Sequence, residues 1–290
     1  MNWISNSEIL IIGLGLIGGS YAKGLTRLGY HVYAIDPDAE AIAYAKENGI
    51  IEDGATDADE KLIRKADAVI FALYPSAFVN WVREHGNLFK KGVYLTDVTG
   101  VKSCVVYEVQ KALPKGVEFI GAHPMAGREV SGVKNADERI FLNANYIVTP
   151  TEQNTPEAVE WCKSLGKLLG FRRVSVLSPE EHDRMIGFVS QLTHCIAVAL
   201  MTCNDNRHLV DYTGDSFRDL TRISRINETM WSELFLMNKE ELLGQMDRFI
   251  GELSEIRTLL DENDREGLME KMRLSTERRA YFDIPGGNKA

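Results

Sequence analysis

A chain of 290 residues is long enough for one large or two ordinary domains, each with its own core. Its formal net charge of −9 argues against nucleic acid or an anionic membrane surface as the main partner. The four cysteines, at 104, 162, 195 and 203, form no C-x-x-C pair and no metal-ligand spacing with histidine. They read as small apolar residues in a reducing cytoplasm, and no metal is expected. Glu8 and the lack of a basic-then-apolar run argue against a signal peptide.

Taken in chain order, Ile9 to Ile12 is too short for a core helix and rich in β-branched residues, which predicts a buried strand. Gly13, Gly15 and Gly18 follow in G-x-G-x-x-G spacing, and Ser20 to Leu28 has helical composition ending at Gly29. The pattern places a tight turn at Gly13, close backbone approach of a pyrophosphate at Gly15, and close helix–strand packing at Gly18. The loop Gly13, Gly15, Leu16, Ile17 and Gly18 is therefore the expected cofactor cradle. A second strand, His31 to Ile35, ends in Asp36, 18 residues after Gly18. A carboxylate there accepts hydrogen bonds from both ribose hydroxyls and repels a 2′-phosphate, which favours NAD over NADP.

Beyond Asp36 a helix is expected from Ala39 to Glu47, then an acidic loop from Glu52 to Asp59 and a short helix from Lys61 to Ala66. Strands follow at Ala68 to Leu73, Val93 to Thr96 and Val117 to Ala122, with a helix opening at Pro75 between the first two. Tyr146 to Val148 and Arg173 to Leu177 read as strands flanking a helix from Pro156 to Leu169. Alternation of this kind predicts a doubly wound, mainly parallel sheet covered by helices.

The texture changes at Ser178-Pro179-Glu180-Glu181, a helix-start signature after which no strand is expected. Ile186 to Cys203 runs 18 residues without Asp, Glu, Lys or Arg. Its polar residues and marginal length favour a buried helix over a membrane span. Leu242, Met246, Phe249, Leu253, Ile256 and Leu260 recur at intervals of four and three, a heptad-like stripe that favours a homodimer interface. The Pro- and Gly-containing tail from Ile284 to Ala290 is expected to be disordered.

Ligands of an open α/β sheet bind outside the carboxyl ends of its strands, and three loops fall there: 13–18, 97–102 and 123–127. His123 stands where a nicotinamide ring is expected. A neutral imidazole can take a hydroxyl proton while hydride leaves the same carbon, the base an alcohol-oxidising dehydrogenase requires.

Gly121-Ala-His-Pro-Met-Ala-Gly127, with the glycine loop and Asp97-Val-Thr-Gly-Val-Lys102 upstream, resembles the prephenate dehydrogenase family. Ser190-Gln-Leu-Thr-His194 is similar to that family's Ser-His-Leu-Pro-His element. Phe217-Arg-Asp-Leu-Thr-Arg-Ile223 and Met230-Trp231 are similar to its Phe-(Arg/Lys)-Asp-x-Thr-Arg-Ile motif and the tryptophan behind it. The resemblance runs from about residue 8 to 283 and implies a Rossmann domain over 1–177 and an all-helical dimerising domain over 178–290. It implies a cytoplasmic enzyme that oxidatively decarboxylates prephenate with NAD in tyrosine biosynthesis, or acts on arogenate. A catalytically silent NAD-binding regulator on the same fold is the rival of another class.

The resemblance also implies roles. His123 is the base on the C4 hydroxyl, Arg222 clamps a substrate carboxylate, and His194 lines the substrate pocket. Lys102 either meets substrate or cofactor or stands at a helix start. The sequence departs from the family at Gly100, where a serine is usual, and Thr99 is expected to supply that hydroxyl instead. It departs again at Gln191, Thr193 and Gly214-Asp215-Ser216, which bear on pocket shape. No appended regulatory domain is expected after residue 290.

Overall fold

A computed structural model describes Trp3 and residues 7–283. The apolar run at the start of the chain forms β1 (Glu8–Ile12), and its four isoleucine and leucine side chains are fully buried. The chain continues through α1 (Leu16–Arg27), β2 (His31–Ile35), α2 (Ala39–Glu47), β3 (Asp53–Ala55), α3 (Glu60–Lys65), β4 (Ala68–Phe71) and α4 (Pro75–His85). Next come β5 (Tyr94–Asp97), α5 (Ser103–Ala112), β6 (Glu118–Pro124), β7 (Asn145–Thr149), α6 (Pro156–Leu168) and β8 (Arg173–Val176). The strands form one sheet in the order β3-β2-β1-β4-β5-β6-β7-β8, parallel throughout except for the β6–β7 pair. Apolar clusters fill both faces. One gathers Tyr21, Phe141 and Trp161, the other Phe71, Phe78 and Phe119.

The sheet and the change of texture at 178 are as expected, with local differences. The acidic stretch 52–59 contains the edge strand β3, paired with β2 from Tyr33↔Asp53 to Ile35↔Ala55. The exposed edge of β2 supplies the pairing that Asp and Gly propensities oppose. α1 begins at Leu16, a turn earlier than its composition suggests, because Gly18 lies inside the helix against the β1 turn. β6 continues through His123 and Pro124, since β7 pairs with it as far as Pro124↔Tyr146.

The helical segment opens with α7 (Pro179–Ile186), whose Ser178 and Glu181 make reciprocal capping bonds. A π-helical turn (Gly187–Leu192) joins it to α8 (Thr193–Thr202), and α9 (Asp215–Thr221) and α10 (Glu228–Met237) follow. Pro179–Thr202 is long and apolar enough to cross a membrane by length and composition alone. Its first half is nonetheless fixed to the sheet, since Asp183 accepts hydrogen bonds from the backbone N–H groups of Lys102 and Ser103 at 2.8 Å each. The expectation of a buried helix over 186–203 needs correction. Phe188 and Val189 are 54% and 48% exposed, because one face of this helix has no cover among the described residues.

The chain divides into two compact units, one up to Glu241 and one from Leu242. Helices α7–α10 fall in the first of these units together with the sheet, and the chain changes from alternating strands and helices to helices alone after residue 177. The second unit is the rest of α11 (Lys239–Asp261) and α12 (Arg265–Ala280), joined through Asn263 at φ +57°. Within it Lys271 bridges Glu252 and Glu255 at 2.7 and 2.6 Å. From Phe249 to Leu260 the heptad-like stripe is exposed, with Leu253 and Leu260 most so. The tail from Ile284, expected to be disordered, lies outside the described residues.

The glycine loop separates packing from ligand space. A Cβ on Gly18 would lie 1.9 Å from the Gly13 carbonyl oxygen, whereas one on Gly15 would meet nothing within 4 Å. Gly18→Ala is therefore expected to cost about 1–3 kcal/mol or more of unfolding free energy, and Gly15→Ala less than about 0.5 kcal/mol. Denaturant unfolding of the two variants checks this, and equal losses would contradict the packing described.

Candidate active site

Three of the helix N-termini at the carboxyl edge of the sheet, those of α1, α4 and α5, have no side-chain cap of their own, and their first N–H groups need acceptors. α1 has Gly15 at its N-cap position, no side-chain cap and no acidic residue in its first turn. α4 has no cap of its own, and Glu233 of α10 accepts from the Ser76 N–H at 2.6 Å. α5 likewise has no local cap and receives Asp183 of α7. The chain thus plugs two N-termini with its own carboxylates and leaves the third, at the glycine loop, for an external anion. Gly13 makes the turn at φ +98°, close against the Ala72 carbonyl. Asp36 directly follows β2 and accepts from Leu14 N–H at 2.5 Å and Asp38 N–H at 2.9 Å, one bond to each oxygen. Each oxygen keeps a lone pair for a ribose hydroxyl. Leu16 and Ile17 open α1 as its first two residues. From β1 to β6 is three strand spacings, about 14 Å, the scale of an extended dinucleotide.

At the β5–β6 end stands a dense polar cluster. Asp97 is fully buried and accepts from Ala122 N–H at 2.9 Å, Thr99 N–H at 3.0 Å, the Thr99 hydroxyl and Lys102 Nζ at 2.6 Å. Lys102 Nζ also donates to the Ala122 carbonyl at 2.5 Å and to Thr99 Oγ1 at 3.1 Å. Its three donors are used internally and its side chain is fully buried. Burial pushes the Lys102 ammonium below its usual range, against the opposing pull of Asp97. This corrects two expectations. Lys102 does not reach out to a ligand, and the Thr99 hydroxyl is turned inward between Asp97 and the Val101 carbonyl. Both residues brace the strand ends because burial of Asp97 demands a complete set of donors.

His123, the residue after Ala122, is half-buried, and its Nδ1 lies 2.9 Å from Nε2 of His182. Burial, with His182 and Lys102 adding to it, pushes the His123 imidazole well below its ordinary pKa, so it is neutral at physiological pH. Gly100 borders it. A Cβ there would stand 3.9 Å from His123 Cε1 and 3.4 Å from a Leu234 methyl. A second group lies on the helical side. His194 is held by the Ser190 carbonyl through Nδ1 at 2.9 Å and stacks on Trp231 at 3.7 Å between ring centroids. Burial lowers its pKa as well. Arg222, at the end of α9, is largely exposed and pairs with Glu129, which follows β6 six residues after His123. Trp231 and Leu234, one turn apart on α10, link the two groups.

The structure therefore gathers His123 with Gly100 on one side, and His194 with Arg222 on the other. His182, Asp183, Glu129 and Glu233 were not singled out from the sequence. The adjacent His-Asp pair within the capped α7 was the legible sign of the first two. Gln191, at a departure from the family pattern, is buried. It donates to the Leu234 carbonyl at 3.1 Å and accepts from Asn238 at 2.7 Å, so it supports α10 and does not face a ligand.

Fold and site together define a dinucleotide-binding α/β unit that carries a neutral histidine at the end of a strand and a helical cover. A family model described as prephenate dehydrogenase, nucleotide-binding domain, matches residues 21–175, and one described as prephenate dehydrogenase, dimerization domain, matches 178–274. A prephenate dehydrogenase of Bacillus subtilis is 35% identical over 269 residues, 90% of this chain and 72% of its own length. A cyclohexadienyl dehydrogenase of Zymomonas mobilis is 28% identical and covers 94% of each chain. The crystal structure of the Aquifex aeolicus prephenate dehydrogenase with hydroxyphenyl propionate and NAD+ superposes with a TM-score of 0.89 at 30% identity. That match covers 97% of this chain and 100% of the other. The chain belongs to the prephenate dehydrogenase family.

Removing the Lys102 ammonium leaves Asp97 buried without its counter-charge. Lys102→Met is expected to lower unfolding free energy by about 3–5 kcal/mol in denaturant titration. A variant of unchanged stability with a raised substrate Michaelis constant would restore Lys102 to the ligand.

Proposed function

We propose that this protein catalyses NAD-dependent oxidative decarboxylation of prephenate to 4-hydroxyphenylpyruvate, a step of tyrosine biosynthesis. The observation that carries it is His123, a neutral imidazole at the end of β6 in the family's Gly-Ala-His-Pro-Met loop. The ligands of the Aquifex relative, NAD+ and a hydroxyphenyl acid, support the same reading. The cradle suits NAD. Gly15 leaves space at an uncapped helix N-terminus, and the Asp36 carboxylate disfavours a 2′-phosphate. NAD, when bound, accepts the hydride from C4 of the substrate.

In this reading His123 takes the C4 hydroxyl proton as the carbon–hydrogen bond at C4 gives up its pair. The ring carboxylate then leaves as carbon dioxide, its bonding pair enters the ring, and the carbonyl formed at C4 takes a proton back as the phenol. Arg222 binds a substrate carboxylate, which displaces or shares the guanidinium with Glu129. His194, steadied on Trp231, closes the pocket beside it. Lys102 and Thr99 act from behind by fixing Ala122, and the domain boundary falls at 177/178. A homodimer formed through the helical part covers Phe188, Val189, Leu253 and Leu260, which the single chain leaves exposed, as the family's dimerization domain supports. Four unpaired cysteines suit a cytoplasmic location.

NADH formation with prephenate and arogenate in parallel tests the activity, and silence with both despite NAD binding would favour a regulator. His123→Asn is expected to lower turnover roughly 10²- to 10⁴-fold with NAD affinity kept. Arg222→Gln is expected to raise the Michaelis constant for substrate roughly 10-fold or more. The pH dependence follows from the lowered His123 pKa. The base stays unprotonated below the ordinary imidazole value of about 6.5, so kcat/KM should hold its plateau through that pH and fall only under more acid conditions. An acid limb at or above 6.5 would contradict the assignment.

A further inference from the structure

Behind His123 lies a buried pair that the reaction above does not use. His182 is fully buried on α7, with Nδ1 2.8 Å from Oδ1 of Asp183 and Nε2 2.9 Å from Nδ1 of His123. Asp183 also receives the backbone N–H groups of Lys102 and Ser103 at 2.8 Å each. We infer that His182 and Asp183 are positioning residues that hold His123 in the tautomer with the proton on Nδ1 and a bare Nε2. This inference rests on the proposed role of His123 as the base.

The assignment of protons follows link by link. Burial raises the Asp183 carboxyl, but His182 and the N–H of Ser103 outweigh it and hold the group below its usual range, so it is an anion with no proton to give. The hydrogen between Asp183 and His182 therefore belongs to Nδ1 of His182. Burial lowers the His182 imidazole, against the pull of Asp183, so the ring is neutral and its Nε2 carries a lone pair. An acceptor 2.9 Å from His123 Nδ1 requires the proton on that nitrogen. His123 is neutral too, which leaves its Nε2 free to accept the substrate hydroxyl proton. Lys102 and Asp97 are the other charges near the pair. They neutralise each other at 2.6 Å and face Ala122, so neither competes for these ring nitrogens. With the opposite tautomer the nitrogen needed for catalysis would already hold a proton, the kind of fault that costs catalytic triads several orders of magnitude.

The test combines a spectrum and two variants. In the wild-type protein with histidines labelled with nitrogen-15, NMR near neutral pH should show His123 with a protonated Nδ1 and an unprotonated Nε2, with no substrate or cofactor present. His182→Leu removes the acceptor and is expected to lower kcat roughly 10- to 1000-fold while the Michaelis constant for prephenate changes less than about 3-fold. His182→Gln places a carbonyl oxygen near the former Nε2 and should recover most of that loss. A wild-type His123 protonated on Nε2 would overturn the inference, as would full turnover in His182→Leu or a Gln variant no better than Leu. The spectrum needs no variant to fold. The expected spectrum in a protein inactive on prephenate would support the tautomer while sinking the reading of function.

Discussion

The placement of Asp183 is the constraint on which the site depends. An aspartate on the first turns of a helix ordinarily serves its own helix. Here it serves another, closing the N-terminus of α5 after the loop that follows β5. That docking fixes α7 against the sheet, and α7 in turn sets His182 behind His123. Glu233 repeats the device at α4, so the cover is held by carboxylates on helix ends as well as by apolar contact. Such bonds are directional. They fix rotation and register of the covering helices in a way that packing of leucines and methionines alone does not.

A second constraint lies one strand layer deeper. Ala122 gives its N–H to Asp97 and its carbonyl to Lys102, so a buried ion pair grips both polar groups of the residue before the histidine. Pairs of this kind contribute little net stability, because desolvation offsets most of the attraction. Their effect is geometric, since neither ion can move without leaving the other unpaired in a medium of low polarity. β6 also changes neighbours here, from parallel β5 to antiparallel β7. The pair supplies bonds at a point where the regular ladder turns irregular.

Much of this was legible in the chain. The run Ile9–Ile12, the glycine spacing and Asp36 placed the cofactor half, because local spacing carries that information. Ser178-Pro179 with Glu181 marked the turn to helices through capping chemistry. The edge strand at 53–55 was not legible, since its residues oppose a strand and only the neighbouring β2 supplies the reason. Lys102, open in the sequence between a ligand group and a helix start, and Thr99, expected at the ligand, are both placed by one cause. A lysine near a glycine loop reads as a ligand group until a buried Asp97 five residues away is seen to need it. His182 lies 59 residues from His123, a separation at which pairing is set by tertiary structure alone.

The departures from the family pattern divide by where the side chains point. Gln191 faces inward from the π-helical turn and joins the Leu234 carbonyl to Asn238, which itself donates to the Asp183 carbonyl at 2.9 Å. An amide can fill that place because the site demands one donor and one acceptor, not an imidazole. Its exchange therefore leaves the support of α10, and so the positions of Trp231 and Leu234, intact. Gly100 differs in kind. It borders His123 directly, and a side chain there would stand in ordinary contact with Cε1 of the ring and with Leu234. Since the Thr99 hydroxyl is turned away, no hydroxyl from this loop stands beside the imidazole. The orientation of His123 then rests more heavily on what holds it from behind, the His182–Asp183 pair.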